Sequence, residues 1–294
     1  MCFNDLFCRN FALGCGMKND DSIADAIRAP GENSRFPQDN HSIIKMFTPA
    51  YLLRGLLFFA ASYIIFLGIS HFSWWLLIEK AGIEITNLDA SCWPGFIIVF
   101  VLFFLPLLYF LSSFVAKKFL SIHVPKLVLY MGCTFFGAMW FEVILDTLFV
   151  KFIGYPGWLY KVWPVHQGYT SGVGMFMWPL YGFFVYCINQ AIATNPRLAD
   201  INNVAAKAFF YALDAMALEI LTNIFTILLF HTYLFYYLPG DLKHFTTIQI
   251  FLPYLFVSGL GVTLSLFMER IKTNHFFIGL AFYFAGVGSL LFLV

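Results

Sequence analysis

Seven apolar runs, at about 50–78, 94–115, 127–152, 173–193, 205–231, 247–268 and 275–294, leave this chain few folds to choose from. Each is close to the ~20 residues that cross ~30 Å of hydrocarbon at 1.5 Å per residue. Backbone polar groups in lipid must be satisfied within the segment, so the runs read as helices. The fold class is therefore all-α, a polytopic membrane bundle of about seven transmembrane helices. Composition agrees, with 61% hydrophobic and 11% charged residues, against roughly 25% charged in soluble domains. The lipid bilayer is the first expected partner. A net charge of +1 gives no reason to expect nucleic acid.

Residues 1–46 are polar and mixed in charge, with Pro30, Gly31 and Pro37, and read as a disordered tail without a signal-peptide core. Met17 is an alternative start. Residues 47–294 form the transmembrane domain. If the tail is inside, thirteen Lys and Arg residues lie inside and Lys80, Lys151, Lys161 and Lys243 outside. The positive-inside rule then places the N-terminus in the cytoplasm and the C-terminus on the exoplasmic side. Trp74, Trp158, Tyr236 and Tyr237 are among the rings at the outer ends, where interfacial aromatics gather.

Charge inside such runs is costly and usually faces a protein-lined cavity. Asp146 and Glu219 lie within the third and fifth runs. Glu142, one turn before Asp146, shares its helix face. Two carboxyls close together in a low dielectric do not both ionise easily, so such a pair can hold and deliver a proton. Glu219, Asn223 and Thr226 make a polar stripe; Asp214, five positions before Glu219, points about 140° away. These features make Glu142, Asp146 and Glu219 the candidate catalytic residues. Interhelical hydrogen bonding is the structural alternative for the stripe.

An internal repeat is also visible: sliding the chain along itself until Asp146 meets Glu219 brings Tyr160 onto Tyr233 and Trp163 onto Tyr236, and one further step brings Pro179 onto Pro253. Two spans separate the copies, so a repeat of this kind is parallel, and its interface is a natural substrate site. The loop from Gly154 to Gly172 is rich in aromatics and turn formers. Tyr155, Trp158, Tyr160 and His166 there, with Asn223 and Gln249, are candidate substrate-binding residues for a lipophilic small molecule. Anchoring of the rings at the headgroups is the alternative, and His166 is a candidate proton carrier.

No nucleotide-binding, metalloprotease or serine-hydrolase motif occurs, and the six Cys have no metal-ligand spacing. Acid–base chemistry on an alkene, ketone or acetal oxygen would require no cofactor and no metal.

The stretches Ile144–Gly157 with Trp178–Gly182, and Asp214–Glu219 followed by Thr247–Tyr254, resemble the AveC-like family of membrane spirocyclases. The likeness covers the part of the chain after the first two helices and rests on short motifs. It implies acid-assisted cyclisation of a polyketide- or terpenoid-like substrate. In that family a Glu commonly follows the Pro of the returning helix, where this chain has Tyr181-Gly182 and Tyr254-Leu255. The chain is also similar, at Phe141-Glu142-Val143, Gly168–Ser171 and Tyr181-Gly182, to small membrane proteins of the ABC-transporter type IV family. That resemblance implies a permease or accessory subunit served by a separate ATPase. A non-catalytic membrane scaffold is the third reading.

Overall fold

The computed structural model describes residues 49–86, 93–162, 165–166, 169–271 and 274–293. The tail expected over 1–46 lies outside them. Seven long helices follow the seven apolar runs: α1 Pro49–Trp74, prolonged by a π-helical turn Trp75–Lys80, α2 Trp93–Ala116, α3 Val124–Ile153, α4 Gly174–Thr194, α5 Val204–Phe230, α6 Phe251–Arg270 and α7 His275–Leu293. Six are long and apolar enough to cross a membrane, α4 being the exception. Eleven of the 21 residues of α4 are buried. A helix that faces protein rather than lipid tolerates Asn189, Gln190 and two tyrosines. Elsewhere the surface keeps many large apolar side chains, among them Leu102, Phe114, Phe152, Phe284 and Phe292, each more than 60% exposed. Such a surface matches hydrocarbon, not water.

Small residues set the helix spacing. A Cβ on Gly132 of α3 would overlap the Gly279 carbonyl oxygen of α7, and one on Gly182 of α4 would sit 2.8 Å from the Met131 Cα. Lipid supplies no hydrophobic drive between helices, so close backbone approach of this kind is what packs them.

Four short strands join the helices: β1 Trp158–Tyr160, β2 Val165–His166, β3 Thr170–Ser171 and β4 Phe235–Tyr237. β2 pairs with β3 inside one connection, whereas β1 pairs with β4 antiparallel across the two connections. In that pair Trp158 faces Tyr237, Leu159 faces Tyr236 and Tyr160 faces Phe235. With Trp158 equivalent to Phe235, Leu159 to Tyr236 and Tyr160 to Tyr237, β1 and β4 are one strand in two copies. A local two-fold axis through the Leu159–Tyr236 pair relates them. The flanking bonds obey the same axis: Lys161 donates to the Leu234 carbonyl at 3.0 Å and Leu238 to the Gly157 carbonyl at 3.4 Å.

The copies are α3–α4 and α5–α6. Their first helices end alike, on left-handed residues, Gly154 with φ 89° and His231 with φ 55°, whose N–H groups return to Val150 and Ile227. The parallel repeat expected from the sequence is present with a different register. Glu142 corresponds to Glu219, Asp146 to Asn223 and Tyr160 to Tyr237; past β4 the second copy is one position shorter, so that Thr170 corresponds to Thr246 and Trp178 to Tyr254. The expected register, with Asp146 on Glu219, matches abundant aromatics and two prolines that stand two positions apart in the equivalent helices α4 and α6.

Candidate functional site

Glu142 on α3 and Glu219 on α5 line one small cavity with Phe141, Trp158, Trp178, Phe235, Tyr237 and Tyr254. Its volume is about 20 Å³, enough for one water-sized group. The two acids are 5% and 8% exposed. Among the described residues the one ion pair is Lys126–Glu269, at 2.6 Å, so neither cavity acid is matched by a cation there.

Neutral donors hold them instead. The Tyr160 hydroxyl donates to Glu142 Oε1, and Thr170 donates to Oε2 at 3.1 Å. At Glu219, Tyr237 and Tyr254 both donate to Oε1, and Thr246 donates to Oε2 at 2.5 Å. Tyr160 and Tyr237 each follow their glutamate by 18 residues. The strand pair carries both tyrosines, so the helix acids and the loop donors are positioned by one symmetric device. Burial, and then the neighbouring Glu142 carboxyl, holds the Tyr160 phenol well above its ordinary range; Tyr237 is raised by burial and then Glu219. Both therefore remain donors.

Around the two glutamates the copies differ at one contact. Tyr254 donates to Glu219, while its counterpart Trp178 sets its indole N–H beside Glu142 without reaching hydrogen-bond geometry. Glu219 thus has three donors and Glu142 two.

Asp146 lies off the cavity. Its Oδ1 accepts the Gly157 N–H at 2.6 Å, and the residue is fully buried. The equivalent Asn223 accepts the Leu234 N–H at 3.0 Å and donates to the Phe235 and Phe245 carbonyls at 2.9 and 2.8 Å. Both side chains pin the start of a connection. Depth accounts for the exchange of roles: Asp146 is about 30 Å along its helix from Lys126, whereas Glu142 at about 24 Å lies closer to the level of Glu219, about 18 Å beyond Lys207.

The remaining candidates scatter. Trp158 and Tyr160 are buried at the site, and Trp158 lines the cavity rather than anchoring at headgroups. Tyr155 is 39% exposed and outside the lining. Gln249 is exposed, because the Glu219 carboxyl is already filled by Tyr237, Tyr254 and Thr246. The side chain of His166 lies outside the described residues. Thr170, Thr246, Trp178, Phe235 and Tyr254 are not among the site residues expected from the sequence, and Tyr237 is buried at the site instead of anchoring at the interface. The signal for Tyr237 and the two threonines is a Glu followed at 18 by Tyr and at 27 or 28 by Thr, occurring twice. Among the described residues no group of three or more His, Cys, Asp or Glu side chains is placed to hold a metal ion. Compared with protein-family models, curated proteins and solved structures, the chain matches none of them.

Proposed function

We propose that this integral membrane protein is an acid–base catalyst of AveC-like type that cyclises a lipophilic, polyketide- or terpenoid-like substrate. The observation that carries the reading is the meeting of two carboxyls, one from each copy, in a small cavity walled mainly by aromatic rings, with only neutral donors around them. Donors to a carboxylate favour its charged form, so Glu219, with three, is the base and Glu142 the acid. Glu142 gives its proton to a substrate ketone oxygen. A hydroxyl of the same substrate adds to the carbonyl carbon, Glu219 takes that hydroxyl's proton, and transfer across the cavity returns it to Glu142. Nothing is consumed, and the low-dielectric site strengthens each charge interaction. The cavity admits one oxygen-sized group, so substrate entry requires the rings of Trp158, Phe235 and Tyr237 to part.

Orientation belongs to the same proposal. Lys117, Lys118, Lys126, Arg197, Lys207 and Arg270 lie at one set of helix ends, which the positive-inside rule puts in the cytoplasm. The strand pair and the cavity mouth then face the exoplasmic side.

Membranes carrying wild type, Glu142→Gln or Glu219→Gln, fed with lipophilic extracts and compared by mass spectrometry, test the chemistry. Each amide keeps the shape and removes the proton exchange, with an expected loss of about 10²–10⁴ in product formation. Unchanged turnover in both would overturn it; altered uptake without a new product would favour the permease reading.

A further inference from the structure

The two copies place a hydrogen-bond donor at the same point of the cavity wall and use it differently. In the second copy the Tyr254 hydroxyl is spent on Glu219. In the first, the Trp178 indole N–H is buried beside the Glu142 carboxyl but reaches hydrogen-bond geometry with no group among the described residues. An unpartnered buried donor costs about 1–3 kcal/mol, and this one sits on the lining of a cavity that holds one small group. The other indole of the lining, that of Trp158, is committed to the Tyr169 carbonyl at 3.2 Å. The Trp178 ring packs edge-on against Tyr181 of its own helix, at 6.1 Å between ring centroids.

We infer that the Trp178 N–H is the docking point for a ligand oxygen, held between Glu142 and Glu219, and that it selects lipophilic molecules bearing an oxygen acceptor over hydrocarbons of the same shape. An acceptor oxygen pairs this open donor of the wall, whereas a methylene in the same place leaves it unpaired. Sites built to hydrogen-bond a polar group reject the analogue that lacks it for this reason. The inference deepens the acid–base reading, since an oxygen at that point lies beside the proposed proton donor.

The experiment uses full-length protein in lipid nanodiscs with nitrogen-15 in the tryptophan indoles, titrated with cyclohexanone or cyclohexane. Trp178→Phe assigns the Trp178 resonance, and the Trp158 resonance reports occupancy of the cavity. Cyclohexanone is expected to move the Trp178 N–H downfield saturably and cyclohexane to leave it in place. In Trp178→Phe the cyclohexanone affinity, read at Trp158, falls about 2- to 10-fold to meet that of cyclohexane. Trp178→Tyr, which copies the second repeat, is expected to lose the preference with the fold retained. Occupancy reported by Trp158 with Trp178 unmoved, equal shifts with both probes, or no response to either would overturn the inference. An oxygen preference that survives while Glu142→Gln and Glu219→Gln leave turnover unchanged would keep this site and remove the acid–base chemistry; the reverse pattern would keep the chemistry and remove the site.

Discussion

Leu159 and Tyr236 face each other at the centre of the β1–β4 pair, and they are the same position of two copies of one motif. This pairing brings Tyr160 to Glu142 and Tyr237 to Glu219 from two connections far apart in the chain. The helices supply the acids, and the strands supply their donors.

Asp146→Asn is expected to be tolerated, because Asn223 performs the equivalent bond with a neutral amide. Its stability should stay within about 1 kcal/mol of wild type, and turnover should persist. Asp146→Leu, which leaves the Gly157 N–H buried without an acceptor, should cost about 1–3 kcal/mol. Thermal unfolding in detergent beside the product assay separates the two; a loss of turnover in Asp146→Asn would return this acid to the chemistry.

Gly132→Ala and Gly279→Ala should each loosen the α3–α7 contact, where backbone meets backbone and no flexible side chain can yield. The expected cost is about 1–3 kcal/mol or more, seen as a lowered midpoint in detergent unfolding. Gly137→Ala, in open space on the same helix, is the control and should be neutral or slightly stabilising.

Alkaline pH should destabilise the fold through Tyr160, Tyr233 and Tyr237, phenols in the connections that burial, before any neighbouring group, holds above their ordinary value of 10.0. When folded they keep their protons, while the unfolded chain releases them above that value. The unfolded state then binds fewer protons, so this contribution is complete below about pH 10 and declines as pH rises further. Unfolding measured between about pH 8 and about pH 11 should show the decline, and Tyr160→Phe should make it shallower; an identical slope in the variant would contradict the assignment.

Topology has a direct check. With the six native cysteines replaced by serine, Thr86→Cys should react with a membrane-impermeant thiol reagent from outside intact cells, and Ile122→Cys should not. Both positions are exposed at opposite helix ends. The opposite labelling pattern would turn the protein over and face the cavity mouth to the cytoplasm.

The helices are legible in the sequence because each rests on one local property, a bilayer-length apolar run, that needs no knowledge of its neighbours. The strands are not, since a segment such as Trp158–Tyr160 carries no pattern of its own and becomes a strand only beside Phe235–Tyr237. The register of the repeat is obscured for a chemical reason. Equivalent positions hold Asp146 and Asn223, Gly157 and Leu234, or Trp178 and Tyr254, pairs that share a place in the hydrogen-bonding scheme without sharing a residue type. Glu142 and Glu219 keep their identity in both copies. Asp146 stands out beside them only because its charge is as rare in an apolar run as theirs, although it is used to hold a backbone amide.

The symmetric strand pair also bears on ancestry. A chain with only one helix–strand–helix unit could close the same pair with a second molecule of itself, making an isologous dimer with two identical glutamate sites. Duplication and fusion into one polypeptide would remove the requirement that both halves be alike. Tryptophan could then stand at position 178 while tyrosine stayed at 254, so that a single cavity acquired two unlike walls.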